Sequence, residues 1–420
     1  MKNSKDVIVI GAGPIGLAAA AQLVAKGLNP VVLEQGASAG EAMLAWGHVR
    51  VFTPWSYMID HTVAAMLGDS GWQSPDLDLL PTGREIVEQY LLPAAAMPSL
   101  VDKIKYHSTV IAIAKENHSK QTTNTRDDAR YVVHYRDLHG EVQVIIADAV
   151  IDASGTWSSP NPIGLDGLAV PGERENQAMI SYGMPDLLGA QRLDYADKKT
   201  LVIGGGHSSM NIALSLIELQ QQSAQTKIFW GLRTNNIDKL LGGGINDQVP
   251  ARKKLGIGAK KAMASGALTL LSEMKVQRIE QSAHGLNVTL ISEGVAQVIN
   301  VDRIIVATGF RPNLEMLREL RLDIDSVVEA PVHLAPLIDP NLHSCGSVRA
   351  HGVEELAHKD KNFFIAGMKS YGRAPTFLML TGYEQVRSIV AELAGDHQGA
   401  RQVELFMPDH TTNNKSCCAG

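Results

Sequence analysis

The sequence predicts an α/β protein in which one strand–glycine turn–helix plan is used twice. Two stretches carry that plan, "DVIVIGAGPIGLAAAAQL" from Asp6 and "KTLVIGGGHSSMNIALSLIEL" from Lys199, and each leads to a second apolar strand, "PVVLEQ" or "KIFWGLR". Each unit then runs through three short alternating segments into an apolar strand closed by a small-residue turn, "AVIDASG" or "RIIVATG". A repeated strand–turn–helix–strand unit of this kind is the layout of a Rossmann-like dinucleotide-binding domain.

A chain of 420 residues exceeds one ordinary core, so two or three domains are expected. With 45% hydrophobic and 20% charged residues it reads as soluble and globular. A net charge of -6 gives no reason to expect nucleic acid or a membrane surface as partner. Three cysteines cannot build a disulfide framework, which suits a reducing compartment and a cytoplasmic location. Residues 14–28 have the apolar look of a signal peptide. They follow a strand and a glycine turn, lack a small-residue cleavage site, and read as a buried helix.

In "GAGPIG", Gly11 permits the tight turn, Gly13 clears the approach of a pyrophosphate, and Gly16 lets the helix pack on the strand. Pro14 opens the helix, whose N-terminus supplies donors and partial positive charge. Glu34 ends the second strand, where a carboxylate can accept from an adenosine ribose, with Gln35 beside it. In "GGGHSS" the glycines are Gly204 and Gly206, and Ser209 holds the third place; Ser208 also lies in this turn. His207 either contacts phosphate or fills space. Arg233 stands where the first unit has its acid: it either meets a 2′-phosphate, favouring NADPH over NADH, or is a solvated surface arginine.

These features resemble the flavoproteins with two dinucleotide-binding domains, the flavin monooxygenases and thioredoxin-reductase-like enzymes. The resemblance implies a three-layer β/β/α fold, with an FAD domain at 1–175 and 312–410 and an inserted NAD(P)H domain at 176–311. "DASGTWSSPNPIG", with Gly155, is similar to the crossover into the NADPH domain, and "ATGFRPN", with Gly309, to the return. "FFIAGMKSYGRAPTFLMLTGYEQ" resembles the C-terminal flavin segment, which implies cofactor contacts near Gly367, Met368, Arg373 and Thr376. Many relatives carry aspartate after that glycine, and Met368 departs from them. In "WGHVRVFTPWSYMID", Arg50, Thr53 and Trp55 either line the flavin or a substrate cavity, or join the core. Residues 116–129 are polar and read as a mobile hairpin loop, and "NLEMLREL" after Pro312 reads as a helix.

Disulfide reductases of this architecture need C-x-x-C or C-x-x-x-x-C beside the flavin, and neither occurs. Reduced flavin must then pass electrons to O2 or to a bound external acceptor. The F-x-G-x-H-x-x-x-Y/F fingerprint of the best-known flavin monooxygenases is also missing. Catalysis is expected to centre on the flavin, with no catalytic side chain legible.

Cys417 and Cys418 are adjacent in a tail expected to be flexible over 411–420. Their Cα atoms stand about 3.8 Å apart, short for a disulfide, while two soft sulfurs suit As(III) or another thiophilic metal. "SCCAG" is similar to the end of mercuric reductases. Joined to the flavin core, it resembles the flavoprotein monooxygenases of arsenic-resistance operons, which implies arsenic detoxification. Methylarsenite or a similar trivalent arsenical would be the substrate and O2 the oxidant. Cys345 is either a third thiolate or a small buried hydrophobe, and the pair either a clasp or an incidental tail. Two alternatives stay open: an NADPH-dependent reductase of a metal ion, disulfide or quinone, and a non-enzymatic metalloid-binding flavoprotein. The resemblance makes a homodimer a common assembly, with no interface legible.

Overall fold

The computed structural model describes residues 4–235, 250–342, 350–374 and 377–405, with backbone alone at 250–252. The chain divides into two compact units: Met1–Ser159 with Arg311–Gly420, and Pro160–Phe310.

The first unit begins with β1 (Asp6–Ile10), α1 (Pro14–Ala25) and β2 (Asn29–Leu33), followed by α2 (His61–Gly68). Next come β3 (Ile104–Lys105), an antiparallel meander of β4 (Thr109–Lys115), β5 (Tyr131–Arg136) and β6 (Val142–Ala147), and β7 (Ala149–Asp152). The second unit repeats the plan with β8 (Ile180–Tyr182), β9 (Lys199–Ile203), α3 (His207–Gln222), β10 (Lys227–Gly231), α4 (Pro250–Ala264) and β11 (Thr269–Leu271). Its meander is β12 (Lys275–Ser282), β13 (Gly285–Ser292) and β14 (Val295–Val301), and β15 (Arg303–Val306) closes it. The chain then returns to the first unit for β16 (Phe363–Ile365) and α5 (Met379–Ala394).

Two five-stranded parallel sheets result, ordered β16-β7-β1-β2-β3 and β11-β10-β9-β15-β8. Side-chain alternation along β1 makes the layers of the first unit. Val7 and Val9 pack with α1, α2 and α5, while Ile8 and Ile10 pack with Ile113, Tyr131 and Val133 of the meander. In the second unit Leu201 and Ile203 of β9 share a core with Leu286, Val288 and Leu290 of β13. This is the expected three-layer β/β/α class of two Rossmann-like units.

The structure changes several details. "KIKYHSTVIAIAK" and "LTLLSEMKVQRIE" each divide between the parallel sheet and the meander, at breaks where His107 and Glu273 take left-handed backbone. "NLEMLREL" holds a single tight turn at Glu315–Leu317 rather than a helix. Unit boundaries fall at 159/160 and 310/311, not 175/176 and 311/312. The cause is Glu173, 1% exposed, which ties its own loop to the second unit. Its carboxylate accepts from the N–H groups of Ile163 and Val170 and, at 2.5 Å, from the Tyr182 hydroxyl on β8. Residues 116–129, expected to be mobile, are pinned by Arg126. That side chain is 1% exposed and makes a bidentate pair with Asp360 at 2.7 Å through Nε and Nη2.

Candidate functional site: two glycine turns

Gly11 ends β1 at φ +96°, and a Cβ there would sit 2.9 Å from the Ala153 carbonyl oxygen. At Gly16 a Cβ would fall 1.8 Å from the Gly11 carbonyl oxygen, so the helix can lie on the turn only without a side chain. Gly13, by contrast, faces open space, with nothing within 4 Å of its would-be Cβ. It N-caps α1 with no side-chain capping bond, and Pro14 occupies the first turn. An uncapped helix start with a bare approach fits a pyrophosphate.

Glu34 is buried and turned onto the loop. One oxygen accepts from Ala12 N–H at 2.6 Å and the other from Gly36 N–H at 2.7 Å. Each oxygen keeps a further lone-pair site for a ribose hydroxyl. Burial, with the Glu34 charge as a second cause, raises the nearby Tyr106 phenol above its ordinary value. Gln35 beside it is exposed.

The second turn reproduces this geometry. A Cβ on Gly204 would lie 2.3 Å from the Ala307 carbonyl oxygen, while Gly206 faces open space and starts α3 without a side-chain cap. Ser209 replaces the third glycine because its hydroxyl turns back to the Gly206 carbonyl at 2.7 Å, leaving the residue fully buried. His207 is half-buried and Ser208 exposed in the same turn. Arg233 is exposed just beyond β10. Among the described residues it has no ion-pair partner.

Gly155, at φ +67°, also faces open space on the turn after β7, and Gly309 is an exposed turn at φ +85°. Gly367 turns at φ +71° with Ile15 of α1 beneath it. Met368 is half-buried.

Two residues expected at the cofactor have acidic neighbours. Arg373 makes a bidentate pair with Glu329 at 2.9 and 3.0 Å. Arg50 donates to the Leu80 carbonyl and stands 3.8 Å from Glu85. Trp55 belongs to the core, and Thr53 is half-buried. Thr376, Cys345, Cys417 and Cys418 lie outside the described residues. Among the described residues no cluster of three or more His, Cys, Asp or Glu could hold a metal ion, and no helix is long and apolar enough to cross a membrane. A cavity of about 360 Å³ lined by Gln22, Lys26, Asp60, Tyr383 and Arg387 sits at the far end of α1, away from its glycine turn.

Sequence reasoning missed Asp152, Lys369 and Gln385, buried polar side chains around the turns after β7 and β16. The aspartate in "DASG" and the lysine two residues past Gly367 were visible, but nothing in the string joins them.

Two glycine turns of this geometry, each at the carboxyl edge of a parallel sheet, define a protein with two dinucleotide sites. Comparison with known families agrees: the model of the pyridine nucleotide-disulphide oxidoreductase family matches residues 8–333. The chain belongs to this family, and the expected class of FAD- and NAD(P)H-dependent oxidoreductase stands. It is 24% identical over 308 residues to a ferredoxin–NADP reductase of Oenococcus oeni, covering 73% of this chain and 70% of that one. In fold it is similar to a bacillithiol disulfide reductase from Bacillus cereus, with TM-score 0.65, 20% identity, and 94% and 100% of the chains covered. It is also similar to the FAD-bound cadaverine monooxygenase of desferrioxamine biosynthesis from Erwinia amylovora, with TM-score 0.63, 15% identity, and 99% and 100% covered.

Proposed function

We propose that the protein is an NADPH-dependent flavoprotein monooxygenase. FAD occupies the first unit, along Gly11, Gly13, Gly16, Glu34, Gly155 and Gly367. NADPH occupies the second, along Gly204, Gly206, Ser209 and Gly309, with Arg233 meeting its 2′-phosphate. One observation carries the reading: both helix starts are open and uncapped, in a chain whose three cysteines include no C-x-x-C or C-x-x-x-x-C pair. FAD, when bound, takes a hydride from NADPH and hands two electrons to an acceptor. With no disulfide of that spacing in the chain to receive them, the acceptor is external, and the proposed one is O2. Monooxygenases and disulfide reductases both share this fold, so the assay in air and under argon decides between the two acceptors.

The proposed substrate is a trivalent organoarsenical, captured by Cys417 and Cys418, with Cys345 a candidate third thiolate. For methylarsenite, CH3As(OH)2, O2, NADPH and H+ become CH3AsO(OH)2, NADP+ and H2O. The arsenic loses two electrons and gains one oxygen atom; NADPH supplies the two electrons that reduce the second oxygen atom to water. The test is NADPH oxidation with and without methylarsenite, in air and under argon. Arsenical-stimulated, O2-dependent turnover with pentavalent product is expected. Stimulation that persists under argon favours a reductase instead. Unchanged activity in Cys417→Ser/Cys418→Ser removes the tail from the reading and leaves the flavoenzyme.

A further inference from the structure

β16 pairs in parallel with β7, with Ile365 opposite Asp152. Their two following turns therefore emerge side by side at the carboxyl edge of the first sheet, the edge at which open α/β sheets bind ligands. The turns are bolted together there. Lys369 Nζ donates to Asp152 Oδ2 at 2.7 Å and to Ser154 Oγ at 3.1 Å. Asp152 Oδ1 accepts from Ser154 N–H at 3.1 Å and from its hydroxyl at 2.6 Å. The Asp152 and Lys369 side chains are 0% and 1% exposed.

A second chain of bonds holds the same turn from the other side. Gly367 N–H donates to Gln385 Oε1 at 2.8 Å. Gln385 Nε2 bonds Ser370 Oγ and His351 Nε2, each at 2.8 Å. Gln385 is fully buried.

Removing two charges from water costs several kcal/mol per ion, so a buried pair is a poor choice for stability alone. Here it sits where a flavin turn is expected. We propose that Asp152 and Lys369 are positioning residues for FAD. They lock the Gly367 turn to the β7 turn, and as a neutral pair they place no net charge beside the flavin. The inference rests on the assignment of FAD to the first unit.

The charge half of the proposal has a signature that a purely structural brace lacks. A lone buried ammonium favours the electron-rich reduced flavin, whereas a lone carboxylate disfavours it. Asp152→Asn should therefore raise the flavin midpoint potential, and Lys369→Gln should lower it. Asp152→Asn/Lys369→Gln should return it close to that of the wild type. FAD dissociation constants should rise tenfold or more in the single variants and severalfold in the double.

Potentials are read by dye equilibration on purified holoprotein, and affinity by flavin fluorescence. Single variants that shift the potential in the same direction, or not at all, overturn the proposal. If either single variant fails to fold, the double variant decides, because it leaves no buried charge. Severalfold weaker FAD binding with an unchanged circular dichroism spectrum supports the proposal, and wild-type affinity overturns it. Wild-type protein that takes up no FAD overturns the assignment of the first unit as well, which distinguishes the two failures.

Discussion

The same residue type does two jobs within each glycine turn, and alanine separates them. At Gly16 a methyl group would meet the Gly11 carbonyl oxygen at 1.8 Å, and at Gly204 the Ala307 carbonyl oxygen at 2.3 Å. Both contacts are with backbone and cannot be relieved by a rotamer, so Gly16→Ala and Gly204→Ala should each cost about 3 kcal/mol or more. Gly13→Ala and Gly206→Ala meet nothing within 4 Å and should cost only about 1 kcal/mol, the ordinary loss on placing alanine at an N-cap. Their methyl groups instead occupy the approach to the helix start, so each should lose about tenfold or more in affinity for its own nucleotide. Thermal unfolding without ligand, paired with FAD and NADP+ titrations, separates the two classes. These glycines were legible because their spacing follows local turn geometry. The acidic neighbours of Arg50 and Arg373, Glu85 and Glu329, were not legible, because no local pattern connects them.

At the scale of elements, both strand–turn–helix units and both meanders could be read from periodicity, while the attachments between distant segments could not. Arg126 lies in a stretch whose composition reads as solvated loop, yet it meets Asp360, 234 residues away. The same corner buries His358, whose Nδ1 accepts from Asp323 N–H at 3.2 Å while Nε2 has no hydrogen-bond partner among the described residues. Burial pushes His358 down from 6.5 to about 4, against the opposing charges of Asp323 and Asp360. Burial also works to raise the Asp360 carboxyl, but hydrogen bonds from Arg126 and from Arg321 N–H prevail and hold it below its ordinary range.

His358 protonates near 6.5 in the unfolded chain and only near 4 in the folded one, so the histidine penalty is absent above pH 6.5 and grows as pH falls toward 4. Across that window it amounts to about 3 kcal/mol. The Asp360 contribution is present above its unfolded value of 3.8 and is lost only at lower pH. Urea unfolding at pH 7.5 and pH 4.5 should therefore show a drop that His358→Gln, which keeps an acceptor and does not titrate, largely removes. An equal drop in that variant would place the acid sensitivity elsewhere.

At the scale of the molecule, duplication was visible in the string and insertion came only with the family resemblance, while the points of insertion were not legible, because Glu173 carries its loop to the second unit through bonds that composition does not reveal. The structure places those points where both ends of each cut are close together. Within the second unit, Asn161 N–H donates to the Gly309 carbonyl at 2.9 Å, Asn161 Nδ2 to the Thr308 carbonyl at 3.1 Å, and the Thr308 hydroxyl to the Asn161 carbonyl at 3.1 Å. Within the first, Arg311 N–H donates to the Ser159 carbonyl at 2.9 Å. Each unit also has a core of its own. A unit with adjacent ends and a private core can be excised without leaving a long loop to close. Pro160–Phe310 expressed alone should therefore fold and bind NADP+. The remainder, with Ser159 joined to Arg311 through two glycines, should fold and bind FAD. That second protein should be reduced by dithionite and not by NADPH, as followed by bleaching of the flavin absorbance. Reduction by NADPH at the wild-type rate would show that NADPH does not need the second unit, and would overturn the assignment of that unit as the NADPH site.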